Sequence, residues 1–192
     1  MAIPAILVGM ASSIRIIGLN SPAPQSGKST VAQALAERNG GLVLSIAGGI
    51  RDMARSIGLA SAADAEGAAK DLPHPDLGER TPREVLIAIG NSMRSLHGED
   101  YWVRQLLRKI RALPANTGLV VIDDVRTQLE GDTVFMERGC VITIERTGVE
   151  PNPGDVGGFE PVVTVNNDGT VDECVTEVRE IAETFFLAVE AA

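Results

Sequence analysis

A short apolar run, Ile14-Arg-Ile-Ile-Gly18, gives way to a polar turn ending in Gln25-Ser-Gly-Lys-Ser-Thr30 and then to a helical pattern over 28–38. The same succession recurs along the chain. Apolar runs at 42–46, 119–122, 141–145 and 162–165 alternate with helical patterns that begin near 49, cover 81–96, 100–112 and 127–138, and resume at 171. Alternation of this kind specifies βαβ units, because parallel neighbours need a crossover that a helix supplies. The expected fold class is therefore α/β, three layers around a five-stranded parallel sheet. The all-apolar run Leu119-Val-Val-Ile122 suits a strand buried on both faces.

At 192 residues the chain has the size of a single domain. Such a chain buries roughly 70% of its unfolded surface, so no metal or disulfide is needed to hold it together. Cys140 and Cys174 sit in apolar surroundings without a CxxC spacing, and read as core thiols of a reduced protein. The formal charge of −9 argues against nucleic-acid and anionic-membrane partners. Residues 1–11 superficially resemble a signal segment. They lack a basic leading region, Arg15 follows the apolar run, and the run is too short for a membrane span. The expected location is cytoplasmic, with Met10 an alternative start.

Within the expected domain of 1–192, residues 58–112 form a helical insertion and 147–160 a lid-like Gly/Pro loop. The stretch 58–80 is rich in Ala, Asp, Pro and Gly and reads as a mobile excursion over one face. Thr81 with Glu84 and Thr170 with Glu173 make capping boxes, and Pro82 suits the first helical position. Val103, Leu106, Leu107, Ile110 and Leu113 form one apolar stripe. Val171, Cys174, Val175, Val178, Ile181, Phe185 and Phe186 form another on the last helix, which is also a candidate homodimer surface.

The turn between the first strand and helix carries the strongest chemical signal. Successive backbone N–H groups there, with the helix N-terminus, cradle a triphosphate. Gln25, Ser26, Gly27, Lys28, Ser29 and Thr30 are then the ATP-binding residues: Lys28 reaches the β and γ phosphates, and the Ser29 hydroxyl coordinates Mg²⁺. The consensus for this loop has glycine five positions before Gly27, where this chain has Pro22. The loop therefore has another shape, or an extra residue after Ser21. Asp123 and Asp124 follow the run 119–122, where a second metal-side carboxylate belongs. Spacing leaves both as metal candidates.

Basic residues are unevenly placed. Residues 80–111 hold seven (Arg80, Arg83, Arg94, Arg104, Arg108, Lys109, Arg111) against three acids, a local +4. Residues 147–192 hold ten acids and only Arg179, a local −9, so the first 146 residues balance to zero. Arginine forks orient phosphate well. Arg104, Arg108 and Arg111 read as solvated helix residues, whereas Arg51, Arg94 and Arg126 stand at element ends. His74 and His97 read as incidental, and Trp102 as a core residue.

In order and spacing these segments resemble the deoxynucleoside monophosphate kinases of tailed bacteriophages, within the P-loop nucleoside monophosphate kinase superfamily. The matching motifs are Ser26-Gly-Lys-Ser-Thr30, Ser45-Ile-Ala-Gly-Gly-Ile-Arg51, Thr81-Pro-Arg-Glu-Val-Leu86 through Gly90 to Arg94, and Asp100-Tyr-Trp-Val103. Ile122-Asp-Asp-Val-Arg126 with Glu130, Val141-Ile-Thr-Ile-Glu-Arg146 and Val165-Asn-Asn-Asp-Gly-Thr170 complete the set. The resemblance implies transfer of the ATP γ-phosphoryl group to a deoxynucleoside 5′-monophosphate, with Mg²⁺, in a host cytoplasm if the gene is a phage gene. It implies catalytic roles for Lys28, Arg51, Arg94 and Arg126, and acceptor contacts from Arg51, Arg94, Asp124 and Arg126. It places Arg146 and Asn167 near the adenine. The segment 154–160 departs from the family pattern, which is more polar there. Alternatives are another small-molecule kinase of this fold, such as one acting on dephospho-coenzyme A, or a nucleotide-binding module without turnover. A GTPase reading lacks its Asn/Thr-Lys-x-Asp motif.

Overall fold

The computed structural model describes residues 14–114, 116–150 and 162–191. The elements run β1 (Arg15–Asn20), α1 (Lys28–Arg38), β2 (Leu42–Leu44), α2 (Ile46–Ser56), α3 (Ala60–Ala63), α4 (Pro82–His97) and α5 (Tyr101–Arg111). After these come β3 (Leu119–Ile122), α6 (Gln128–Met136), β4 (Cys140–Glu145), β5 (Thr164–Asn166) and α7 (Val171–Glu190). The strands pair in parallel in the order β2-β3-β1-β4-β5, giving the five-stranded sheet expected.

Side-chain alternation along the strands divides the core. Ile17, Leu19, Val121, Ile142 and Ile144 face α1 and α7, where Val31, Leu35, Val175, Val178 and Phe186 cover them. Ile16, Val120, Ile122 and Val141 face the other way, toward Trp102, Val103, Leu106, Ile110 and Val134. Both expected apolar stripes are buried here, Leu113, Val171, Ile181 and Phe185 only partly. Cys140 and Cys174 are buried free thiols, and burial pushes Cys140 up to about 12, so it is an inert part of the core.

Trp102 joins three helices. It is buried, its Nε1 donates to the Gly90 carbonyl of α4 at 3.1 Å, and a Cβ on Gly49 of α2 would meet its ring at 3.1 Å. Both expected capping boxes form, and Thr127 with Glu130 makes a third at the start of α6.

The stretch 58–80 is more structured than its composition suggests. It holds α3, 3-10 turns at Gly67–Asp71 and Pro75–Leu77, and an antiparallel bridge between His74 and Arg80. Its order comes from helix-sized pieces of one or two turns, too short to show a period. The first expected start codon region, 1–13, and residues 151–160 of the expected lid-like loop lie outside the described residues. No helix among the described residues is long and apolar enough to cross a membrane.

Candidate active site

The site begins where β1 ends. Asn20, buried, donates from Nδ2 to the Val125 carbonyl at 2.8 Å, while Val125 N–H donates to the Leu19 carbonyl at 3.2 Å. These bonds hold the turn after β3 against the end of β1, so Asp123 and Arg126 stand over the loop that follows Asn20.

That loop turns without its expected first glycine. The Ser21 hydroxyl accepts from Ala23 N–H at 3.3 Å, closing a local turn around Pro22. The chain then reverses through left-handed backbone at Gln25 (φ 62°) and Gly27 (φ 82°). Gly27 is the N-cap of α1 and supplies no side-chain cap; Lys28 N–H donates to Ser26 Oγ at 3.4 Å, and the first turn of the helix opens on the cleft that Lys28, Ser29 and Thr30 line. Asn167, 4% exposed, donates from Nδ2 to the Ser26 carbonyl at 2.7 Å. A Cβ at position 27 would collide with that same nitrogen. Glycine is thus required twice at 27, by its backbone angle and by this close approach. Asn167, expected near an adenine, here braces the loop before α1 from the β5–α7 turn.

The two strand-end aspartates separate cleanly. Asp124 accepts from Ser45 Oγ (2.8 Å), Ile46 N–H (2.7 Å) and Ala47 N–H (2.9 Å). It caps α2 from the end of the adjacent strand, which is why α2 begins at Ile46 and not near 49. Asp123 has Lys28 and Arg126 as cationic neighbours. Burial and, next, the charge of Asp124 raise its pKa, and those two cations oppose the rise.

Lys28, Ser29, Thr30, Asp123 and Asp124 share one open cleft of about 930 Å³ with Arg51 and Arg126. Arg55, Lys70 and Arg83 also line it, making six basic side chains against the four acids Asp64, Glu66, Asp123 and Asp124. Arg55 and Lys70 are not among the residues the sequence motifs single out, and Arg83 lies within the Thr81–Leu86 motif without a role of its own. A single apolar period cannot show that α2, the 3-10 turn at Gly67–Asp71 and the start of α4 meet at one opening. Arg51 sits mid-helix in α2, not at an element end, because the helix starts earlier than its pattern suggests. Its Nη1 donates to the carbonyls of Ala63 and Ala65.

Arg94 is not brought to the cleft. It stands on the last turn of α4 and donates from Nη1 to Asn91 Oδ1 at 3.3 Å. Arg146 is exposed just beyond β4, next to Thr147, whose hydroxyl and N–H donate to Asp168 and lower that carboxyl, with the charge of Arg146 a smaller contribution. Of the seven basic residues in 80–111, Arg83 alone lines the cleft. Arg104, Lys109 and Arg111 pair instead with Asp100, Asp52 and Glu137. The local +4 is therefore mostly a solvated face. Glu130 fixes Arg126 from below, its carboxylate accepting from the backbone N–H of Arg126 (2.8 Å) and Thr127 (3.1 Å).

No protein-family model matches the chain, and no curated protein matches it. Among solved structures, an APS kinase of Mycobacterium tuberculosis is 16% identical, with a TM-score of 0.45 over 88% of this chain and 96% of that one. A gluconokinase from Sinorhizobium meliloti 1021 is 14% identical, with a TM-score of 0.47 over 91% of this chain and 97% of that one.

Proposed function

We propose that the protein transfers the γ-phosphoryl group of ATP to a deoxynucleoside 5′-monophosphate, giving ADP and a deoxynucleoside diphosphate. The observation that carries this reading is the shared cleft, in which a phosphate loop with Lys28 faces Asp123, Arg126 and the basic side chains of α2 and α4.

The oxygen donors fit a hard divalent cation. The Ser29 hydroxyl and the Asp123 carboxylate would hold Mg²⁺, while Asp124 is committed to capping α2. Bound there, Mg²⁺ would supply neutralisation of the negative charge on the donor phosphates. Lys28 and the loop N–H groups bind the donor phosphates, and Arg51 and Arg126 orient the acceptor. An acceptor phosphate oxygen forms the new bond to the γ phosphorus as the bridging oxygen departs with ADP. No base is required, since an acceptor phosphate with a second pKa of about 6 is already largely ionised at neutral pH.

A coupled ADP-release assay with ATP, Mg²⁺ and a panel of dNMPs, NMPs and dephospho-coenzyme A tests this. ADP release is expected with at least one dNMP. Release only with dephospho-coenzyme A, or none above background with any acceptor, sinks the reading.

A further inference from the structure

We propose that Arg83 is the receptor for the anionic group of the acceptor and that Asp71 is its internal placeholder, holding the guanidinium fork until a phosphate displaces it. This rests on the phosphotransfer reading, because an acceptor side has meaning only opposite an ATP-filled phosphate loop.

Arg83 lies on the first turn of α4 and lines the same cleft as Lys28. Its fork is taken by one carboxylate in parallel geometry, Nε to Asp71 Oδ1 at 2.5 Å and Nη2 to Oδ2 at 3.1 Å. Two N–H groups on two oxygens of one group is also the geometry that a phosphate offers an arginine. The carboxylate thus imitates the ligand.

Exchange is cheap for two reasons. Both side chains are 56% exposed, and ion pairs so exposed contribute little to stability. Asp71 ends the 3-10 turn Gly67–Asp71, which has no buried residue, so it can withdraw without unpacking the core. A phosphate dianion brings a second negative charge to the fork, where Lys70, the neighbour of Asp71, also lines the cleft. The end of α3, just before that turn, engages two other cleft cations: Asp64 accepts from Arg55 Nε at 2.8 Å, and Arg51 rests on the carbonyls of Ala63 and Ala65. The hydrogen bond from Arg83 also keeps the Asp71 carboxyl below its ordinary pKa, so the placeholder stays charged.

The test uses the full chain with the phosphate loop filled by AMP-PNP and Mg²⁺, and inorganic phosphate as the probe. The reading is the phosphate concentration that half-saturates the shift in unfolding temperature. Asp71→Asn is expected to tighten phosphate binding about two- to fivefold, the range an exposed ion pair can return. Arg83→Gln is expected to weaken it about tenfold or more. A merely structural lesion loosens binding in both variants, whereas the proposal requires opposite signs. Unchanged or weaker binding in Asp71→Asn, unchanged binding in Arg83→Gln, or no phosphate binding by the AMP-PNP-loaded wild type overturns it. Opposite signs with phosphate, alongside no turnover of any dNMP, uphold Arg83 and Asp71 while removing the deoxynucleotide assignment.

Discussion

Asp123 and Asp124 are adjacent and identical in type, yet their surroundings give them different work. Three donors from Ser45, Ile46 and Ala47 converge on Asp124, so its loss should loosen α2. Asp124→Ala is expected to cost about 2 kcal/mol in urea denaturation, while Asp123→Ala changes stability by less than about 1 kcal/mol and abolishes ADP release. The reverse pattern would exchange the two roles. Lys28 is half-buried at the cleft and lies away from the packed core, and the proposed reading has it act by charge on the donor phosphates. Lys28→Ala should therefore lower turnover about 10²- to 10³-fold with an unchanged circular-dichroism spectrum. Retained turnover would show that the loop does not hold the donor phosphates.

Helix ends set the site's geometry at the next scale. Thr81 and Thr170 each donate, first from backbone N–H and then from hydroxyl, to Glu84 and Glu173, and these bonds lower both carboxyl pKa values. A carboxylate with a depressed folded pKa contributes stability that is fully present above its unfolded value, about 4.3. That contribution is lost as pH falls through the lower folded value. Urea midpoints taken from pH 6 to pH 3 should fall less steeply in Glu84→Gln and Glu173→Gln than in the wild type. An identical slope would mean that the boxes carry no linkage. The start of α4 holds Arg83 as well as its cap, so the same turn supplies both helix stability and a cleft cation.

For the molecule as a whole, the net charge of −9 describes neither face well. The acidic C-terminal helix α7 packs on α1, β4 and β5, and Glu180 and Glu183 lie outside the cleft. Reversing both to Lys should leave the acceptor KM within about twofold, since solvated charges beyond a Debye length of about 8 Å are screened. Arg51→Gln should raise it about ten- to hundredfold, the loss of a charged hydrogen bond. Comparable effects from the two changes would locate acceptor recognition outside this cleft. Opposite-signed surfaces on one small α/β domain let an acidic protein present a basic opening to polyanions.

Local chemistry by itself determined the five strand runs, the ends of α1 and two capping boxes, because period, capping residue and the Gly27-Lys-Ser-Thr30 turn act over a few neighbouring positions. It also put Lys28 and Ser29 at the start of α1 and the aspartate pair directly after β3. Only the tertiary structure decided between Asp123 and Asp124, since the cap on α2 is made across 77 to 79 positions of chain. The same holds for the cations. Arg94 and Arg83 are both arginines of α4 and are equal in a linear reading, but α4 turns Arg83 to the cleft and leaves Arg94 against Asn91. Side-chain direction around a helix is set by what the helix packs on, and here those partners are α2, α3 and α5, with the Trp102 ring of α5 set between Gly90 of α4 and Gly49 of α2.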